Sequence, residues 1–169
     1  MSFARKLSSA AACVALLTLG GGSLGAQKAP SPFNGTWKLN LAKSSYSPAN
    51  VAPKSGTAKY TVTATTVNVV SDGVDSQGRT THSEYTANCD GTDAPWKGTI
   101  DGKANPDQDG VSVKCLDANT FHVVNKNKGK ATTTLHIVVS ADGKTRTVNV
   151  SGANAQGVTV NHKAVYDKQ

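Results

Sequence analysis

From Thr57 to Tyr166 the chain is a succession of short segments in which apolar and polar residues alternate, separated by clusters of Gly, Asn, Asp and Ser. That grammar constrains the fold more than any single motif. Tyr60, Val62 and Ala64 alternate with Lys59, Thr61 and Thr63, the period of a strand with one buried face. Strands are expected over 35–41, from Thr57 onward, and over 66–70, 79–87, 94–99, 111–116, 120–125, 131–140, 144–151 and 158–166. Ser71-Asp72-Gly73, Ser76-Gln77-Gly78, Cys89-Asp90-Gly91, Asp117-Ala118-Asn119, Asn125 to Gly129, Ala141-Asp142-Gly143 and Gly152 to Gly157 read as turns or connections. Connections this short make successive strands antiparallel neighbours. No stretch sustains a helical period. The expectation is an all-β fold, an up-and-down antiparallel barrel of about 8–10 strands, which leaves no exposed edge. A two-sheet sandwich is the alternative, because hairpin spacing alone does not separate the two.

Composition agrees with strands and turns. Hydrophobic residues make up 37% and aromatics only 5%, so a barrel interior would be partly polar. Arg5-Lys6, an apolar run from Leu7 to Leu19 and the small residues before Ala26 have the layout of a signal peptide. The run is too short to span a bilayer. Residues 1–26 are therefore expected as a leader, 27–34 as a mobile lead-in and 35–169 as one barrel domain. The protein is expected to be exported, periplasmic or secreted, after cleavage near Ala26, with Gln27 first and Cys13 lost. The net charge of +7 falls by two to +5 without Arg5 and Lys6. The densest positive group, Lys126, Lys128 and Lys130, lacks the interleaved aromatics and Arg of a nucleic-acid surface and reads as a solvated hairpin tip. A site for an anionic polymer or a lipid headgroup is the sharper reading of the same group.

Phe33-Asn34-Gly35-Thr36-Trp37-Lys38-Leu39 stands at the start of this run of strands. Gly permits a bend or a close backbone approach, and Trp supplies a large apolar plug. The stretch resembles the first strand of the calycins, the lipocalins and fatty-acid-binding proteins. The chain is similar overall to small exported bacterial lipocalin-like proteins of undefined function. Asp142 to Val148, Asn154-Ala155-Gln156-Gly157 and the ending Val165 to Gln169 share in that resemblance. The second and third lipocalin motifs have no counterpart here. The resemblance implies a barrel whose base is closed by Trp37, with a basic side chain from a late strand stacked on the indole. Arg146 is the expected partner and Lys163 the alternative, with Gly35, Trp37 and Arg146 forming the structural set. It also implies a lid or loop over 42–55 at one end of the barrel, where Tyr46 either covers the mouth or lies exposed.

Cys89 and Cys115 remain after removal of the leader, an even count that suggests a disulfide in an oxidising compartment. Two free thiols, or a Cys–His metal site, are the other readings. His82, His122, His136 and His162 fall on four different strands without ligand spacing. Scattered histidines are the default over a metal or haem site, and no metal or cofactor is assigned. Asp101, Asp107 and Asp109 do not follow the order of a calcium loop. Glu84 and His82 project to one face of a strand; inside a cavity they would form a general base, and outside an ordinary pair. No serine lies in a nucleophile elbow, so no catalytic residue is assigned.

Three functions follow. The preferred one is binding of a small, partly apolar or amphipathic molecule in the barrel mouth, with Tyr60, Val62, Trp96, Phe121, Val123, His162 and Tyr166 as wall residues. The second is a structural or interaction module of the envelope with a packed barrel. The third is an enzyme built on Glu84 and a histidine.

Overall fold

The computed structural model describes residues 30–154 and 156–169. The expected leader, Cys13 and Gln27 lie outside the described residues. Twelve strands are present: β1 (Gly35–Leu39), β2 (Ser45–Ser47), β3 (Ser55–Val62), β4 (Thr66–Val74), β5 (Thr80–Asn88), β6 (Asp90–Ile100), β7 (Lys103–Ala104), β8 (Gly110–Cys115), β9 (Thr120–Asn127), β10 (Lys130–Val139), β11 (Thr145–Ala153) and β12 (Thr159–Lys168). Ten of them form a closed antiparallel ring in the order β1-β3-β4-β5-β6-β8-β9-β10-β11-β12, sealed where Trp37 of β1 pairs with Lys168 of β12. Closure removes the sandwich alternative. β2 continues along β12 beyond the end of β1, with Tyr46 opposite His162, and β7 folds back on β6.

Two elements differ from the sequence expectation. Ser71-Asp72-Gly73 is not a turn: β4 runs on to Val74, with Gly73 between Gly56 and Thr81 in the ladder. The chain reverses at 75–79, over the expected Ser76-Gln77-Gly78 connection, where Asp75 Oδ1 accepts the backbone N–H groups of Gln77 and Arg79 at 2.9 Å. Cys89-Asp90-Gly91 is the turn expected: it stands at the centre of the β5–β6 hairpin, with Gly91 at φ 90° and the Thr92 N–H donating to Asp90 Oδ1 at 2.9 Å. The expected 42–55 loop holds two 3-10 turns and β2; its Pro53 lines the mouth, and Tyr46 is half-buried against the core.

The turns 63–65, 116–119 and 140–144 and the incoming chain lie at one end of the barrel, and 40–54, 75–79, 101–109 and 154–158 at the other. The first end is closed. Its lead-in does not stay loose: Phe33 is wholly buried and stacks on Phe121 with ring centroids 3.7 Å apart. Trp37, also wholly buried, donates its indole N–H to the Phe33 carbonyl at 2.8 Å. Asn34 Oδ1 accepts the Val62 N–H at 2.6 Å. Gly35 has φ 119°, and a Cβ there would meet Lys168 Cε at 3.2 Å, so the bend that swings the lead-in under the barrel needs glycine. Burial of side chains this large is worth about 2–3 kcal/mol each.

The Cys89–Cys115 disulfide is formed. It sits where two neighbours part: the β5–β6 ladder stops at Tyr85 and Trp96, and the first half of β6 pairs with β8 instead. Cys115 N–H also donates to the Cys89 carbonyl at 3.0 Å. Closing a loop with a sequence separation of 26 contributes roughly 3–4 kcal/mol in the chain-entropy account.

Candidate ligand-binding site at the barrel mouth

Inward-facing positions form rings down the barrel, and their residue sizes decide where space is left. On the wall made by β3, β4, β5 and β6, one ring is Tyr60, Val69, Tyr85 and Trp96. The next ring toward the mouth is Ala58, Ser71, Ser83 and Gly98, and the one after it Gly56, Gly73, Thr81 and Ile100. Large side chains give way to small ones over one strand turn of the pleat. The result is a cavity of about 280 Å³ at the mouth, bounded by the small-residue wall, Trp96, Leu39 and Tyr166, with the paired Asp72 and His82 and Asn105 on its rim.

Arg146 lies just below it. Its register partner is Tyr166, and the side chain is 2% exposed. The guanidinium carbon is 4.1 Å from the Tyr166 ring centroid, 4.6 Å from that of Tyr60 and 5.7 Å from that of Trp37. No carboxylate pairs with it among the described residues, and its Nε has no hydrogen-bond partner. A buried cation without an acid is costly. The aromatic faces offset part of that cost, but they leave the N–H edge unsatisfied.

The chain has four tyrosines, and all of them pack into or against this core. Burial pushes the Tyr85 phenol well above its usual value; Tyr60 adds to the shift and the Arg146 charge opposes it. Burial also raises Tyr166, again opposed by Arg146. Both phenols therefore stay protonated and are hydrogen-bond donors. Both are half-buried by accessible surface, and Tyr166 lines the mouth cavity. The Tyr46 hydroxyl is buried without a partner. The interior thus gathers donors, a guanidinium and phenols, and among the described residues no carboxylate pairs with the guanidinium.

Of the seven expected wall residues, Trp96 and Tyr166 line this cavity, and Tyr60 lies beneath it against Arg146. His162 faces Tyr46 at 5.2 Å, accepts the Ser47 N–H at 3.3 Å, and has its pKa lowered by burial. Val62, Phe121 and Val123 are not at the mouth. Phe121 and Val123 are buried in the core, and Phe121 and Val62 border a second hollow at the closed end, because strand phase gives the face of a residue but not its height in the barrel. The second hollow is larger, about 710 Å³, and is rimmed by Pro30 to Pro32, Val62 to Ala64, the disulfide and Ala118. Both hollows are open to solvent, Phe121 lines this one, and neither is lined by a residue with an unpartnered buried polar atom. The mouth cavity is the better chemical site despite its smaller size, because Tyr166, which lines it, is stacked on the unpaired Arg146 guanidinium. Small hydroxyl and glycine positions that define it carry no motif; only the alternation, once registered, exposes them.

The indole of Trp37 has two cations near it, Arg146 and Lys168, whose Nζ is 5.1 Å from the ring. Lys168, not Lys163, is the second partner; Lys163 faces outward opposite Asn149 and Ser45. The four histidines do not converge. His122 and His136 sit side by side on the outer wall, and His82 Nδ1 is 2.7 Å from Asp72 Oδ1 on the outside. Glu84 also points outward, opposite Lys97, so it forms no interior base with His82. Asp101 accepts from Thr80, Asp107 from Gln156 and Asp109 from the Lys128 N–H. No group of three metal-ligating side chains occurs among the described residues. Lys126 pairs with Asp93, which leaves the hairpin tip less positive than its sequence suggests.

No protein-family model matches the chain, and no curated protein matches it. Among solved structures it is similar to a redesigned β-barrel, mFAP1, bound to DFHBI, at 12% identity and a TM-score of 0.43, over 81% of this chain and 95% of that one. It is similar at 13% identity and a TM-score of 0.42 to another redesigned β-barrel, mFAP0, also bound to DFHBI, over 81% of this chain and 99% of that one. Both similarities are low, and the ten-strand ring stands on its strand pairing alone. No helix among the described residues is long and apolar enough to cross a membrane.

Proposed function

We propose that the protein binds a small, partly apolar molecule in the barrel mouth and that this ligand carries an acidic group directed at Arg146. The observation that carries this reading is the buried guanidinium with no acidic partner beneath an open cavity. A ligand carboxylate would complete the site: it accepts from the N–H edge of Arg146 and from the phenols of Tyr166 and Tyr85, whose raised pKa values keep them as donors. The apolar remainder of the ligand rests on Trp96 and Leu39. The disulfide supports an oxidising location outside the cytoplasm, as does the leader read from the sequence. Native mass spectrometry of the oxidised protein is expected to show a captured mass that disappears on denaturation, or a saturable complex with added aromatic and aliphatic acids. Arg146→Gln is expected to carry neither. If no lipid, quinone or organic acid gives a saturable complex with the wild-type chain, the reading fails.

The second reading is a packed structural barrel in which Arg146 is an internal strut. The cavity volume favours it, since about 280 Å³ lies just under the range of about 300–1,000 Å³ usual for ligand sites. The two separate on the stability of an Arg146 variant.

A further inference from the structure

Trp96 and Gly98 both face the lumen from β6, two residues apart. A Cβ placed on Gly98 would lie 2.0 Å from Trp96 Cη2, 2.5 Å from Cζ3 and 2.8 Å from Cζ2. The outer edge of the indole therefore occupies the place of the missing side chain. Trp96 runs along its own strand, over the backbone at Gly98, instead of projecting across the barrel. Carbon atoms do not approach within 3 Å without bonding, so any other residue at 98 moves the ring. The wall beside Gly98 consists of Ser83 and Ser71, too small to hold the ring elsewhere, and the free space nearest to it is the cavity.

We infer that Gly98 determines which ligands the barrel admits: by letting Trp96 lie along β6 it keeps the mouth open, and it presents the indole as a platform for a flat, conjugated part of the ligand. This rests on the reading of the mouth as a binding site and deepens it by naming the ligand class, a planar aromatic or conjugated acid. Trp96, Tyr166 and Leu39 all line the cavity, so two of its walls are aromatic. Offset stacking on such walls rewards a flat molecule beyond its area alone. A flexible chain of equal charge gains only burial and loses more rotational freedom on entry.

The test compares naphthoate with decanoate, two monocarboxylates of similar size and different shape, titrated into the oxidised protein. The readout is indole emission. Of the two tryptophans only Trp96 borders the cavity; Trp37 is wholly buried but its ring lies 5.7 Å from the Arg146 guanidinium, so the titration is repeated in Trp37→Phe, which leaves Trp96 as the single indole. Naphthoate is expected to quench Trp96 and to bind at least about tenfold more tightly than decanoate. Gly98→Ala is expected to weaken naphthoate about tenfold or more with the far-UV spectrum unchanged. Adding Trp96→Leu to that variant gives the room back, and decanoate binding is expected to return to within about threefold of wild type. Wild-type affinities for both acids in Gly98→Ala, or saturable naphthoate binding that leaves the emission unchanged, would overturn the platform while leaving the Arg146 site intact. If neither acid binds wild type, the site reading falls and takes this inference with it. Should Gly98→Ala not fold, Trp96→Leu alone decides: loss of the preference for naphthoate supports the platform, and an unchanged preference overturns it.

Discussion

The two ends of this barrel are built from the same kind of strand and do opposite things. At the closed end the inward positions are large and apolar: Phe33, Trp37, Phe121 and Val67 are buried, and a disulfide joins the strands where the ladder opens. At the mouth the same strands carry Gly, Ala, Ser and Thr inward, and the nearest buried charge has no partner. The closed end makes the ring stable enough for the other end to be hollow. That division is the general lesson, because burial that stabilises a barrel and space that binds a ligand compete for the same interior positions.

The comparison is broken most severely by emptying the closed end. Trp37→Ala or Phe33→Ala is expected to cost about 3–5 kcal/mol in chemical denaturation, as large core truncations do. Opening the disulfide through Cys89→Ala with Cys115→Ala is expected to cost roughly 3–4 kcal/mol, measured against the oxidised wild type. Arg146→Met sharpens the contrast, since it removes a buried charge and keeps an apolar stem. Stability is expected to stay within about 1 kcal/mol or to rise, as when unpaired buried charges are replaced by apolar residues, while ligand capture is lost. A strut would give a clear loss instead.

Alkali offers a milder probe. Tyr85 and Tyr166 have folded-state pKa values raised by burial, so the unfolded chain releases its phenolic protons first. Their contribution is fully present below about pH 10, the unfolded value, and is lost as pH rises beyond it. Thermal melts are expected to be flat from neutral pH to about 10 and then to fall, with less of a fall in Tyr85→Phe. The smallest effect belongs to the outer wall. Glu84→Gln or Lys43→Ala is expected to shift stability by no more than about 0.5 kcal/mol and to leave ligand capture unchanged.

Much of the closed end was legible in the sequence and little of the mouth. Alternation placed Tyr60 and Val62 on one face; the paired cysteines and the Phe33–Trp37 stretch announced what seals the base. Arg146 was reachable as a late-strand cation near Trp37. The cavity was not, because it is made of residues that signal something else. Gly73 with Ser71 and Asp72 has the composition of a turn, and only pairing with Gly56 reveals it as wall. Gly98 looks like a weak strand residue until the indole two positions away is seen to need it. β2 was missed because Ser45-Tyr46-Ser47 is three residues long with one paired edge. Heights were illegible too, which is why Val62 and Phe121 were expected beside Trp96 and lie at the other end.

The pairing of β1 with β12 has a practical consequence. Gln169 N–H donates to the Thr36 carbonyl at 2.9 Å and Lys168 Nζ to the Pro32 carbonyl at 3.0 Å, so both described chain ends emerge side by side beneath the base. A surface linker or fusion partner joined at either terminus would hang the barrel with its opening facing away from the attachment. Joining the ends to each other and cutting instead at 75–79 would yield a circular permutant whose new termini flank the opening, a ready position for a reporter of what enters it.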